Sequence, residues 1–163
     1  MPSYSRTSRR RLDTATAYLQ NLFGFIVRFY DNTIIEGHRT QSRQDELYNA
    51  TPPRTKVRWP NSKHNRSPSH AVDSAPWFPG RGIPWPRPPR DWNNAGERAA
   101  YIKALCQFYH YGGFVEGVAA GKGQPRRIRW GGDWDRDHDV TDQVFNDLVH
   151  FEDRGAFPGD TVA

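Results

Sequence analysis

Ser69-His70-Ala71-Val72-Asp73-Ser74-Ala75 reads as an inner strand: small and β-branched residues in a short run, with one carboxylate set among them. Upstream, Asp31-Asn32 reads as a turn, and Thr33-Ile34-Ile35-Glu36-Gly37-His38-Arg39 as a second short strand. Thr40 or Ser42 can cap a helix that continues through Tyr48. Apolar residues recur at helical spacing from Ser8 to Phe23 (Leu12, Ala15, Tyr18, Leu19, Leu22). They do so again from Asn94 to about Tyr111, where Ala99, Ile102, Leu105, Cys106 and Tyr109 share one face and Gly112-Gly113 is expected to end the helix. Ile128-Arg129-Trp130 and the stretch from Val144 to Glu152 supply further strand material. Helices and short strands alternate without a βαβ rhythm. The expectation is therefore an α+β fold, a single domain with a small antiparallel sheet flanked by helices.

Two Pro-rich segments, 51–69 and 79–93, read as long ordered loops. Residues 1–8 are expected to form a polar tail, 9–155 the domain and 156–163 a second tail. With 163 residues and 36% apolar content, the chain can bury one core, to which six Trp, seven Tyr and nine Phe contribute heavily. A single cysteine, Cys106, excludes an internal disulfide framework and reads as a small core residue.

The net charge of +5 and a pI near 9.6 suit polyanionic partners in general. A nucleic-acid binder would use that charge but leaves the His and Asp spacing without a reason, so no nucleic-acid partner is expected. No apolar run is long enough for a membrane span, and Leu22–Val27 is too short and too late for a secretory signal. The protein is expected to be made in the cytoplasm as a monomer, without membrane insertion.

Chemistry concentrates in two segments. In Ser62-Lys63-His64-Asn65-Arg66-Ser67-Pro68-Ser69-His70-Ala71-Val72-Asp73, a loop His and a strand Asp nine residues later can return to one point. In Asp147-Leu148-Val149-His150-Phe151-Glu152, Asp and His three apart can converge where an irregular turn enters a strand. Two His and one carboxylate leave zinc an open fourth position for water, the arrangement of a catalytic rather than a structural site. A second carboxylate nearby would accept the proton of that water. Each residue also has a plainer reading: Asp73 or Asp147 in a turn, Arg39 paired with Glu36 or Glu46.

Ser62-Lys63-His64, Pro68-Ser69-His70-Ala71-Val72-Asp73 and Asp147-Leu148-Val149-His150-Phe151-Glu152 together resemble the zinc D-alanyl-D-alanine carboxypeptidase and L-alanyl-D-glutamate endopeptidase family. That family includes phage endolysins. The likeness reaches upstream through Glu36-Gly37-His38-Arg39-Thr40 and Gln44-Asp45-Glu46-Leu47-Tyr48. It implies a Hedgehog/D-Ala-D-Ala peptidase-like fold, Zn2+ held by His64, Asp73 and His150, Asp147 as general base and then acid, and Arg39 facing the scissile carbonyl.

The substrate it implies is the peptidoglycan stem peptide, cut by a phage-type endolysin acting on the cell wall after release. A D-alanyl-D-alanine carboxypeptidase and a non-catalytic zinc or wall-binding module on the same fold are the alternatives. Many members space His and Asp by seven residues; the gap here is nine, which makes His70 the second candidate ligand. Glu152 is a candidate for holding the tautomer of His150. Arg129-Trp130-Gly131-Gly132-Asp133-Trp134 resembles a segment of phage members and suits either a ligand wall or a core turn. The Asp133, Asp135, Asp137, Asp139 series lacks the Gly and Glu of a calcium loop and reads as a solvated acidic turn.

Overall fold

The computed structural model describes residues 1–156, so the expected C-terminal tail lies outside the described residues apart from its first position. Four helices, α1 (Arg6–Leu12), α2 (Ala17–Ile26), α3 (Gln41–Tyr48) and α4 (Ala95–Gly121), accompany four strands, β1 (Asn32–Glu36), β2 (Ala71–Pro76), β3 (Ile128–Gly131) and β4 (Asp147–Asp153). The strands form one antiparallel sheet in the order β1-β2-β4-β3. The fold is the α+β single domain that the alternation of elements implies.

The pleat divides the sheet into two faces. Val72, Phe151 and Trp130 are register partners across three strands and face the helices, where they are essentially excluded from solvent. Asp73 and His150, the next partners, face the other way. One row therefore builds the core while its neighbour builds a cleft. On the core side Phe23, Tyr111 and Trp130 surround Phe151 with ring centroids 5.4, 5.7 and 6.3 Å away. Each such burial is worth roughly 1.5–3 kcal/mol.

Several elements differ from the periodicity. The Ser8–Phe23 stretch is two helices, because Thr16 leaves helical geometry to cap α2 and its backbone N–H donates to Ser69 O at 2.9 Å. Residues 1–8 are not a free tail. Ser5 caps α1, buried Ser8 meets the Thr33 hydroxyl at 2.9 Å, and the Tyr4 hydroxyl lies 2.7 Å from Asn32 Oδ1. The first turns of α4 overhang the sheet, so Ile102 is exposed, and Cys106 is exposed rather than in the core. Phe108, Tyr111, Gly112, Val115 and Ala119 form the true buried stripe.

Gly112-Gly113 does not end α4, which runs eight residues further, to Gly121. A Cβ on Gly112 would stand 2.5 Å from the Trp130 ring, and Gly132 closes on the same indole from its own side. Trp130 is thus held between two glycines. A Cβ on Gly113 meets nothing within 4 Å. Opposite signs are expected from adjacent substitutions: Gly113→Ala stabilises by up to about 1 kcal/mol through helix propensity. Gly112→Ala destabilises by about 1–3 kcal/mol through overpacking. Urea unfolding of the two variants checks this.

Candidate metal centre

The polypeptide after α3 has no regular structure until a single 3-10 turn, Lys63–Asn65, which Ser62 caps and on which His64 sits. Side chains compensate for the missing ladder. Asn65 Nδ2 donates to Arg39 O at 3.0 Å and to Gln44 Oε1 at 3.3 Å, while Arg39 N donates to His64 O at 2.8 Å. Gln44 is fully buried and also ties down Val57 O. His64 is thereby fixed against the sheet although its own segment is a loop.

His64 Nδ1 lies 2.7 Å from Gly37 O and so carries the proton, which leaves Nε2 as a bare lone pair. A side chain at Gly37 would run into Arg11 O and the Thr14 hydroxyl, so glycine is what lets that carbonyl reach His64. His150 Nε2 faces Glu152 Oε2 at 3.4 Å, which leaves Nδ1 bare in the neutral ring. The bare atoms converge with a carboxylate oxygen. His64 Nε2 is 3.1 Å from Asp73 Oδ1 and 3.2 Å from His150 Nδ1, and His150 Nδ1 is 3.3 Å from Asp73 Oδ1.

Three acceptors this close repel unless a positive charge sits among them. Zinc with bonds of about 2.0–2.2 Å in tetrahedral geometry spaces its ligand atoms by roughly 3.3–3.5 Å, so the donor set fits that ion. The electrostatics point the same way. Burial opposes ionisation of Asp73, yet the His64 and His150 imidazoles outweigh it and hold the carboxyl well below the usual range. Burial likewise opposes a charge on His150, but Asp73 and Glu152 raise its imidazole to about 9. These three groups, His64, Asp73 and His150, could hold a metal ion.

Asp147 lies across the cleft, with Asp73 and both imidazoles within electrostatic reach. It is three residues from His150, which in a flat strand would place the two on opposite faces. A register shift between Trp130/Gly131 on β3 bends β4 and pairs Gly131 with Asp147, bringing both to the cleft side. Burial, then the charge of Asp73, push the Asp147 carboxyl above its ordinary value, against the pull of His150, His64 and Arg39. A carboxylate with raised proton affinity beside a cation site is suited to accepting a proton.

Arg39 is held at the back of the centre. Its Nε donates to Glu36 Oε2 at 2.7 Å, NH1 to Gln44 Oε1 at 3.2 Å, and NH2 to Glu36 and to Asp73 Oδ2 at 3.4 Å. These contacts use four of its five N–H groups. Asp73 thus gives one oxygen to the imidazoles and the other to Arg39. His70 stays outside the cluster: the three atoms that converge belong to His64, Asp73 and His150.

The Trp130–Trp134 segment divides between its two readings. Trp130 is core, with its N–H donating to Leu148 O at 3.0 Å, whereas Trp134 lines the cleft 5.5 Å from the His150 ring. Asp133 is not solvated; it is 1% exposed and accepts backbone N–H bonds from Arg136 and His138. Gly37 and Asn65 were the site residues that spacing did not single out, because a carbonyl and a loop amide carry no periodic signal. The cleft as a whole encloses about 560 Å3.

No family model matches the chain, and no curated protein matches it in sequence. Among solved structures there is a match. The fold is shared with an L-Ala D-Glu endopeptidase. That structure, ChiX of Serratia marcescens, is similar with a TM-score of 0.54 over 93% of this chain and 90% of the other, at 20% sequence identity. The likeness establishes the architecture.

Proposed function

We propose that this chain is a zinc peptidase that hydrolyses an amide bond in peptidoglycan stem peptides, as an L-alanyl-D-glutamate endopeptidase of the phage endolysin type that reaches the wall after release from the cell. The observation that carries this reading is the meeting of His64 Nε2, Asp73 Oδ1 and His150 Nδ1 around one point, with a proton-accepting carboxylate, Asp147, beside it. A purely structural metal site needs no such neighbour, which weighs against a non-catalytic module. The shared fold with an L-Ala D-Glu endopeptidase supports the substrate class.

His64, Asp73 and His150 would hold the ion. Bound zinc supplies a Lewis acid and lowers the pKa of its water to about 7. Gly37 O and Glu152 keep the two imidazoles in the tautomers that face the ion. Arg39 holds the second oxygen of Asp73 and, through its remaining N–H, contributes positive charge where an oxyanion develops. Asp147 accepts a proton from the attacking water and returns it to the leaving amine, so that one amide and one water become one carboxylate and one amine.

Digestion of purified peptidoglycan with and without a chelator, followed by mass analysis of the fragments, tests the reading. Expected are fragments with a newly exposed D-Glu amine, loss of release with chelator and recovery with zinc. Fragments lacking only the terminal D-Ala would mark a D-alanyl-D-alanine carboxypeptidase. Chelator-insensitive release, or protein that binds no zinc, would overturn the proposal.

A further inference from the structure

The geometry points to a second, saccharide-binding groove that continues the cleft past Trp85 and takes the glycan strand to which the stem peptide is attached; this rests on the peptidase reading above. The groove lies between loop 79–93 and the exposed side of α4, encloses about 490 Å3, and is lined by Arg81, Trp85, Arg87, Lys103 and Gln107 among others. Trp85 belongs to both cavities, so the groove and the metal cleft share a wall.

Three features fit a sugar strand. Trp85 is 46% exposed although its ring stacks on buried Phe108 at 5.9 Å, which offers a flat apolar surface held rigidly from behind. The polar lining consists of donors: two guanidinium groups, an ammonium and an amide, with no acidic side chain among the residues of the groove. None of Arg81, Arg87 and Lys103 forms an ion pair among the described residues. Such a surface suits a ligand rich in hydroxyl and acetamido oxygens.

The loop is also anchored at both ends. Phe78 N donates to Gly82 O and Gly82 N to Phe78 O across a tight turn that carries Arg81 over the Phe78 ring, and Glu97 Oε2 accepts from Arg90 N and Asp91 N at 2.7 and 3.2 Å. A preformed groove avoids the ordering cost of a floppy one. A scissile bond after the first stem residue lies one residue, roughly 3.5 Å of chain, from the point of attachment to the sugar. A stem peptide seated at the metal centre therefore brings its glycan close to the cleft, whose wall at Trp85 is shared with the groove.

The test is titration of the protein with glycan strands freed of peptide, read by calorimetry, beside cleavage of a glycan-linked muropeptide and of the free stem peptide. Arg87→Glu combined with Lys103→Glu, both exposed positions, is expected to weaken glycan binding at least tenfold and to lower the ratio of kcat/KM on linked over free substrate by a similar factor. Trp85→Phe is expected to keep the binding that Trp85→Ala loses. Undiminished glycan binding in the double variant, no glycan binding by the unmodified protein, or tighter binding of a polyol-phosphate polymer than of glycan would overturn the groove. Glycan binding with neither substrate cleaved would leave the groove standing and overturn the peptidase reading instead.

Discussion

Asp147→Asn is expected to lower stem-peptide turnover by about 10²–10⁴, the range for a positioned acid–base group, while zinc content stays at the unmodified level. The amide keeps the size and the backbone pairing with Gly131, so β4 and its neighbour His150 stay in place. What it loses is a proton acceptor whose affinity burial and Asp73 have raised. Metal analysis and kinetics on the same preparation separate the two effects. Full activity in a zinc-loaded Asp147→Asn protein would remove Asp147 from the mechanism.

Asp73→Asn is expected to act upstream of this, by taking away the metal. Asp73 is the carboxylate around which both imidazoles and Arg39 are arranged, and an amide in its place offers a neutral, weaker donor beside a buried guanidinium. Groups that merely support a ligand change metal affinity by about 10–100-fold, so loss of a ligand is expected to exceed about a hundredfold and abolish cleavage. Stability supplies a second readout. Zinc at a hundred times its Kd stabilises the unmodified protein by about 2.7 kcal/mol, or roughly 5–10 °C in Tm for a chain of this size. The same zinc concentration should leave the Tm of Asp73→Asn unmoved. A variant that retains the zinc-dependent shift would show that the ion sits elsewhere.

How much of this was legible in the sequence depends on where the signal lay. The strand around Val72 and Asp73 was readable because β-branched and small residues cluster there, and the cap at Thr40 because its chemistry is local. Gly112-Gly113 carries the local mark of a helix breaker, whereas the Trp130 indole demands the absence of a side chain at Gly112. That demand comes from a residue far along the chain and has no local mark. Cys106 was misplaced for a related reason: helical periodicity identifies a face but not how far the sheet extends beneath it. At the candidate metal centre the residue types that converge, two His and an Asp, are visible in the sequence. The shift in register that turns Asp147 and His150 to one side, and the carbonyl that orients His64, belong to tertiary structure.

Asp73 and His150 are paired across adjoining strands, so half of the centre comes into being with the sheet itself. His64 arrives separately, on a stretch with no ladder of its own, fastened by Asn65 and the buried amide of Gln44. An ion bound among the three would work as a clasp between an irregular segment and a regular one. Any hold on metal would thus be vested partly in a residue outside the donor set, Gln44, whose contacts decide whether the His64 imidazole is waiting or must be recruited.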